Sequence, residues 1–269
     1  MLKDTVYIER KYPTDMQVLR VYAIGDVHVG SQDFDLESTQ KMIRIIENDP
    51  CAAVVICGDL GDFGLKNSRT NIYQSAIPNP KEQIEVIHDL FSPIASKISA
   101  AVPGNHEERL VREVGVCPLY DLCVRWGIQE VYRENVAITK YVFGSYKGDR
   151  NQNVFFGITS HGSSRNKHHK HILCYEGADF SVSGHNHTPY YAPEGRLRIE
   201  RGGKANEARH VPFKEIVVNA HLRPGGYSLK HEYEIAPPPE LPYLELTMVR
   251  ENNRNRTLHR IMNYHTITI

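Results

Sequence analysis

Apolar positions in this chain fall in short runs, and several of the runs end in the same way. Ala52 to Cys57 is continuously apolar between Pro50 and Gly58, the pattern of a strand buried on both faces. Val18 to Ile24 predicts a strand before it, and Ser99 to Val102 a short one after it. Further strands are predicted at Val136 to Phe143, Val154 to Thr159, Phe180 to Ser183 and Ile216 to Val218. Arg196 to Arg201 alternates charge with Leu197 and Ile199, as a half-exposed strand does. Helical spacing fills the gaps. A stripe through Leu36, Thr39, Ile43 and Ile46 predicts a helix from about Leu36 to Asn48. Asn79-Pro80 reads as an N-cap with proline in the first turn. The face Ile84, Ile87, Phe91, Ile94, Ile98 continues from it with a kink near Pro93. The segment from Glu107 through Trp126 predicts one or two helices, and Asn67 to Ile77 a polar loop near the site.

Pro237-Pro238-Pro239 is expected to mark the end of the compact core. Residues 1–239 then form one domain, with no internal repeat and no second core. Residues 240–269 hold two strand-like pieces, Leu244 to Val249 and Thr266 to Ile269, around the polar run Glu251 to Arg256. They read as a C-terminal extension of the same domain, an edge hairpin or a dimer arm, so a homo-oligomer stays open.

Composition narrows the partners. Residues are 41% apolar and 24% charged, ordinary for a globular protein. Lys plus Arg and Asp plus Glu each number 32, so no global field draws the chain to nucleic acid or membrane. No run of 18 apolar residues predicts a membrane span. The first residues lack the basic-then-apolar order of a signal peptide, so a cytoplasmic protein is expected. The five cysteines show no Cys-x-x-Cys spacing, and Cys57 lies inside an apolar run. They read as reduced core thiols.

The chemistry lies where the runs end. Asp26-x-His28, Asp59-x-x-Asp62, Asn105-His106-Glu107, His161-Gly162 and His185-x-His187 each follow a short apolar or β-branched run, the third across Pro103-Gly104. Alone, Gly58-Asp59-x-x-Asp62 reads equally as a strand closing in an Asx-type turn. Together the segments offer carboxylate, imidazole and amide groups, a set that suits borderline divalent metals. No thiolate is among them, which argues against a structural zinc cluster. In extended chain, residues i and i+2 point the same way, so Asp26 with His28, and His185 with His187, can each present two groups to one side.

In order and spacing these segments resemble the calcineurin-like metallophosphoesterases, whose pattern is Asp-x-His, Gly-Asp-x-x-Asp, Gly-Asn-His-(Asp/Glu), a lone His, and Gly-His-x-His. The resemblance covers about residues 18 to 190, and in size and layout it is most similar to small bacterial and phage members. It implies an α/β (α+β) fold, a two-sheet β-sandwich flanked by helices with a binuclear metal site at one end of the sheets. It implies that Asp26, His28 and His187 hold one metal, that Asn105, His161 and His185 hold the other, and that Asp59 bridges. Two divalent ions follow, Mn first, with Fe, Zn, Ni or Co as alternatives. They would sit about 3.5–4 Å apart with a bridging hydroxide as nucleophile. His106 is implied as a catalytic group on the phosphoryl or leaving oxygen, with Asp62 orienting it. The implied activity is phosphoester hydrolysis by a phosphodiesterase or phosphatase. Asp62-Phe63-Gly64 lacks the arginine that the family's Ser/Thr protein phosphatases carry as Asp-Arg-Gly, which moves the expectation toward phosphodiester or nucleotide substrates. A nuclease like the repair exonucleases, and a non-catalytic metal-loaded scaffold, are the alternatives.

The flanking signals are weaker. Arg165, Lys167 and Lys170, in a loop with His168, His169 and His171, are either a solvated loop or a lip for a second phosphate or a nucleic-acid backbone. Arg165, Lys167 and Glu107 are carried as substrate contacts. Tyr190-Tyr191 allows base stacking or ordinary packing. The basic residues from Arg196 to Arg209 read as an outward strand face.

Overall fold

The structure, a computed structural model, describes residues 6–66, 75–145, 152–162, 176–198, 209–223, 238–250 and 258–269. Strands β1 (Ile8–Lys11) and β2 (Val18–Ile24) precede α1 (Leu36–Asn48), β3 (Ala52–Ile56), α2 (Pro80–Phe91), β4 (Ile98–Ala101), α3 (Asn105–Val114) and α4 (Pro118–Arg125). Then come β5 (Val136–Ser145), β6 (Gln152–Ser160), β7 (Phe180–Ser183), β8 (Tyr190–Arg198), β9 (Arg209–Val217), β10 (Glu240–Arg250) and β11 (Leu258–Thr268).

These strands form two sheets, of order β1-β5-β6-β7-β9-β8 and β11-β10-β2-β3-β4. Strands β2, β3 and β4 run parallel, because α1 and α2 carry the chain back between them. Every residue of β3 is buried. One continuous core joins the sheets: Leu19, Val55 and Leu244 from one pack in the same cluster as Tyr141, Phe155 and Phe180 from the other. A polar stitch crosses it. The Ser99 hydroxyl donates to the Val54 carbonyl at 2.8 Å and receives the Tyr141 hydroxyl at 3.1 Å.

Helix α1 is capped by Asp35, whose side chain accepts from the Ser38 amide, and its inner face is Met42, Ile43 and Ile46. Asn79 caps α2, with Pro80 in the first turn. That helix does not continue to Ile98 as its apolar stripe predicts. It stops at Phe91, and Ser92–Lys97 forms a 3-10 turn, because Pro93 has no amide to donate and its ring crowds the preceding turn.

Three further differences from the sequence pattern have physical causes. Strand β1 was not foreseen: Ile8 is its one buried residue, too little to make a periodicity, and pairing with β5 alone defines it. Strand β8 starts at Tyr190, ahead of the expected Arg196, and pairs antiparallel with β9. The compact core also runs past the prolines at 237–239. Strand β10 lies between β2 and β11, and Leu241, Leu244 and Leu246 are fully buried. The segments 67–74 and 251–257 lie outside the described residues.

The Lys97 ammonium gathers the end of α1. It donates at 2.8 Å to each of the Ile46, Glu47 and Asp49 carbonyls, acceptors that a helix C-terminus leaves unpaired. Lys97→Met keeps the aliphatic stem and removes all three bonds. It is expected to lower unfolding free energy by about 2 kcal/mol in urea denaturation.

Candidate metal centre

The carboxyl ends of β2, β3 and β4 in one sheet, and of β6 and β7 in the other, deliver the chemistry-bearing residues to one place. The backbone turns abruptly there. Asp26, His28, Asp59, Phe63, His185 and His187 all have positive φ, between 41° and 75°, a region that costs a non-glycine residue about 1–2 kcal/mol. Hydrogen bonds hold the turns against that strain. The Gly58 carbonyl accepts from Asp26 N at 3.0 Å, and the Asp59 carbonyl from Val27 N at 2.9 Å and His28 N at 3.0 Å. The loops after β2 and β3 are thus zipped side by side.

Asp59 is fixed from a second direction. The loop after β4 opens α3, and the His106 amide in its first turn donates to Asp59 Oδ1 at 2.8 Å. This contact needs Gly104, because a Cβ there would strike the Asp59 carboxylate. Glu107 completes the arrangement. It is buried, and it accepts from Gly104 N, Asp59 N and Leu60 N, each at 2.8 Å. Glu107, expected as a substrate contact, here spends both oxygens on backbone amides, as befits a carboxylate near a helix N-terminus.

The side chains then converge. His28 Nε2 lies 3.0 Å from His187 Nε2. Asn105 Oδ1 lies 3.0 Å from His161 Nε2 and 2.8 Å from His185 Nδ1. His161 Nδ1 donates to the Cys57 carbonyl at 2.7 Å, which leaves Nε2 to face the cluster, the orientation that a ligand histidine needs. Potential ligand atoms of Asp26, His28 and His187 lie within 4.8 Å of one another, and so do those of Asp59, His161 and His185. Asp26 Oδ1 is buried without a hydrogen-bond partner. Two imidazole nitrogens face to face and an orphaned carboxylate oxygen are costly in a protein interior, and divalent cations relieve both. The donor set fits such ions: Asp26, His28 and His187 would hold one, and Asn105, His161 and His185 the other, with Asp59 beside them.

The electrostatics express the same crowding. Burial opposes a charge on His161, but the Asp59 carboxylate 3.3 Å away, with Asp26, outweighs it and lifts that imidazole to about 10. Burial lifts Asp26 above the usual carboxylate range. His28 is pushed well down and His187 to about 4, in both cases chiefly by burial.

His106 stands next to the clusters. Its Nδ1 lies 2.6 Å from the Asp62 backbone carbonyl, so that nitrogen carries a proton and donates it. The Asp62 carboxylate, expected to orient His106, is 3.5 Å from the same nitrogen, so the carbonyl makes the closer contact. A grouping of His28, Asp62 and His106 also has ligand-type atoms within 4.8 Å, but it shares His28 and draws on the His106 edge already bonded.

Two residues at the site escaped the sequence pattern. Gln83 on α2 is buried; its Oε1 accepts from Phe63 N at 2.8 Å and its Nε2 donates to the Ile77 carbonyl at 2.7 Å. It holds the backbone just after Asp62. A polar residue in register with Ile87 and Phe91 on a buried stripe was its signal. Arg109 lies across the His106 ring, and its signal was the i+3 spacing on one helix. Arg165 and Lys167 lie outside the described residues. Tyr191 stacks on Tyr264, with centroids 4.0 Å apart, which is ordinary packing. The Arg196 guanidinium lies over the Phe213 ring at 3.5 Å.

Glu107→Gln replaces one acceptor oxygen with an amide that faces backbone N–H groups. It is expected to lower stability by about 2–3 kcal/mol in urea unfolding. A substrate-contact role predicts unchanged stability and a raised KM. Metal uptake has a pH signature of its own. His161 must be neutral to ligate, yet Asp59 keeps it protonated at pH 7. Adding Mn²⁺ to metal-free protein is expected to release about one proton or more per chain. Titration calorimetry in buffers of different ionisation enthalpy reads this directly, and uptake without proton release contradicts it.

The sequence matches the calcineurin-like phosphoesterase family over residues 19–237. No curated protein matches it. Among solved structures, a metallophosphoesterase from Sphaerobacter thermophilus is 15% identical, covering 93% of this chain and 88% of its own, with a TM-score of 0.37. A conserved Streptococcus pneumoniae protein described as a predicted phosphoesterase is 13% identical, covering 93% and 99%, with a TM-score of 0.34. Vps29 from Chaetomium thermophilum is 10% identical, covering 93% and 98%, with a TM-score of 0.41. No helix among the described residues is long and apolar enough to cross a membrane. The family match takes in every strand-end residue gathered here, from Asp26 to His187, and the chain belongs to the calcineurin-like phosphoesterases.

Proposed function

We propose that this chain hydrolyses phosphoester bonds with two bound divalent metal ions, Mn²⁺ first among the candidates, and that its substrates are phosphodiesters or nucleotides. The observation that carries the reading is the pair of largely buried clusters, Asp26–His28–His187 and Asp59–His161–His185, set beside His106. In this reading Asp59 serves both ions, and Asn105 completes the second set. Bound metals would supply positive charge and Lewis acidity to an anionic ester that otherwise repels its nucleophile.

The chain's own groups do the rest. Asp59 is held by the His106 amide and the Glu107 clamp, so it needs no reorganisation when substrate arrives. His106 has Nδ1 tied to the Asp62 carbonyl at 2.6 Å, which fixes the ring and turns its Nε2 edge to the site. That edge lies 3.8 Å from Asp59 Oδ2, within reach of an ester oxygen seated at the cluster. As an imidazolium, with Nε2 also carrying a proton, His106 would donate a hydrogen bond to the phosphoryl or leaving oxygen there. The lean toward diesters rests on Asp62-Phe63-Gly64, which lacks the protein-phosphatase arginine.

The test is metal content by elemental analysis with bis-p-nitrophenyl phosphate and p-nitrophenyl phosphate turnover on one preparation. About two metals per chain and diesterase turnover, lost with chelator and restored by Mn²⁺, are expected. Two metals with no turnover on either ester favour the scaffold alternative, and failure to bind metal sinks the reading. His106→Ala is expected to keep its metal and lower kcat about 10²-fold or more. Asp59→Asn is expected to lose metal. A His106 variant that loses metal would make His106 a ligand instead.

A further inference from the structure

Among the described residues, one cation at this site makes no ion pair with a carboxylate, although its charge pulls the Asp62 carboxyl downward. Arg109 is half-buried, one turn past His106 on α3. Its guanidinium lies across the His106 imidazole, with one terminal nitrogen 3.2 Å from Nδ1 and the other 3.0 Å from Nε2. These are hydrogen-bond contacts, and Nε2, the ring nitrogen not committed to the Asp62 carbonyl, can accept one guanidinium N–H. Nδ1 already donates to the Asp62 carbonyl, so its approach to Arg109 sets donor on donor and satisfies neither. Among the described residues, the backbone acceptor that the guanidinium reaches is that same carbonyl, at 3.3 Å.

Three other arginines pair with carboxylates. Arg112, on the same helix, pairs with Glu108 at 2.9 Å; Arg125 pairs with Glu85 at 2.9 Å, and Arg20 with Asp49 at 3.0 Å. Arg109 pairs with no carboxylate among the described residues. It is held by its bonds to the His106 ring and the Asp62 carbonyl, with further N–H donors unspent, beside the imidazole that neighbours the two metal-ligand clusters. A guanidinium fork matches two phosphate oxygens, and one left unpaired beside a site for anions is positioned to receive them.

We propose that Arg109 is a substrate-binding residue that grips two non-bridging oxygens of the phosphoryl group, supplying from α3 the positive charge that Asp62-Phe63-Gly64 lacks. This inference rests on the reading of the site as a phosphoesterase. Because the grip is on non-bridging oxygens, it serves monoesters and diesters alike and leaves the choice between them to groups around the leaving side. The bonds to His106 and the Asp62 carbonyl also keep the fork from swinging into solvent, so little side-chain freedom is lost when substrate binds.

The test uses Arg109→Ala and Arg109→Lys in the metal-loaded protein, with inorganic phosphate as probe. Calorimetry gives its Kd, steady-state kinetics on bis-p-nitrophenyl phosphate give KM and kcat, and elemental analysis and thermal melting check metal content and folding. In Arg109→Ala, the Kd for phosphate and the KM are expected to rise about tenfold or more, with kcat reduced less and metal content unchanged. Arg109→Lys keeps the charge without the fork and is expected to fall between wild type and Ala. If Ala does not fold, Lys decides alone: a phosphate Kd raised about threefold or more supports the fork, and one equal to wild type overturns it. A phosphate Kd in Ala within about twofold of wild type also overturns it, as does loss of metal in Arg109→Lys, which would place Arg109 in support of the clusters. Wild-type protein that binds phosphate through Arg109 yet cleaves no ester sinks the hydrolase reading and leaves this contact standing. Ester cleavage with phosphate affinity indifferent to Arg109 sinks this inference alone.

Discussion

The site depends on one carboxylate that does not face it. Glu107 is buried in the first turn of α3 and collects the amides of Gly104, Asp59 and Leu60. Hydrogen bonds to a charged acceptor are worth about 1.5–3 kcal/mol each, and they offset part of the cost of burying the charge, which still leaves Glu107 above the usual carboxylate range. Burial pushes Glu107 upward, and the Gly104 and Asp59 amides pull it back. The clamp fastens the loop after β3 to the N-terminus of α3. The same joint lets the His106 amide seize Asp59 Oδ1. Asp59, Asn105 and His106 are therefore placed relative to one another by backbone, before any ligand arrives.

Around that joint the structure accumulates tension. Six non-glycine residues sit in the left-handed region, among them Asp26, His28, Asp59, His185 and His187. Carboxylates and imidazoles crowd together there with orphaned or mutually opposed lone pairs. Strain of this kind persists only where the surroundings over-determine it. Here the surroundings are two sheets sharing one core, with the strained turns zipped to each other across β2 and β3. Ions bound by the native state alone would add to its stability by mass action, so folding and metal occupancy are linked in this chain.

The division of labour at His106 follows from the same geometry. Asp62 was expected to act through its carboxylate, but its backbone carbonyl makes the closer bond. Gln83, from a helix distant in sequence, fixes the adjacent Phe63 amide. Arg109 approaches both ring nitrogens. The imidazole is thus held by backbone at Nδ1 and by a neighbouring cation, beside the clusters.

Much of this was legible in the residues themselves. Apolar runs ending in Gly-Asp, Gly-Asn-His and Gly-His-x-His mark strands that stop at a polar site, because a buried strand must end where its side chains change from core to chemistry. The two-sheet class and the gathering of Asp26, His28, Asp59, Asn105, His161, His185 and His187 followed from those blocks and the family they resemble. Local pattern could not say that β10 is an inner strand, that Glu107 faces amides, or that Gln83 and Arg109 reach the site. Those facts depend on which groups meet across long sequence separations: Leu244 with Val21, Glu107 with Leu60, Gln83 with Phe63. The sequence by itself determined which groups the site has to work with. Only the tertiary structure decided which way each one faces, because facing is set by packing between elements that are distant along the chain.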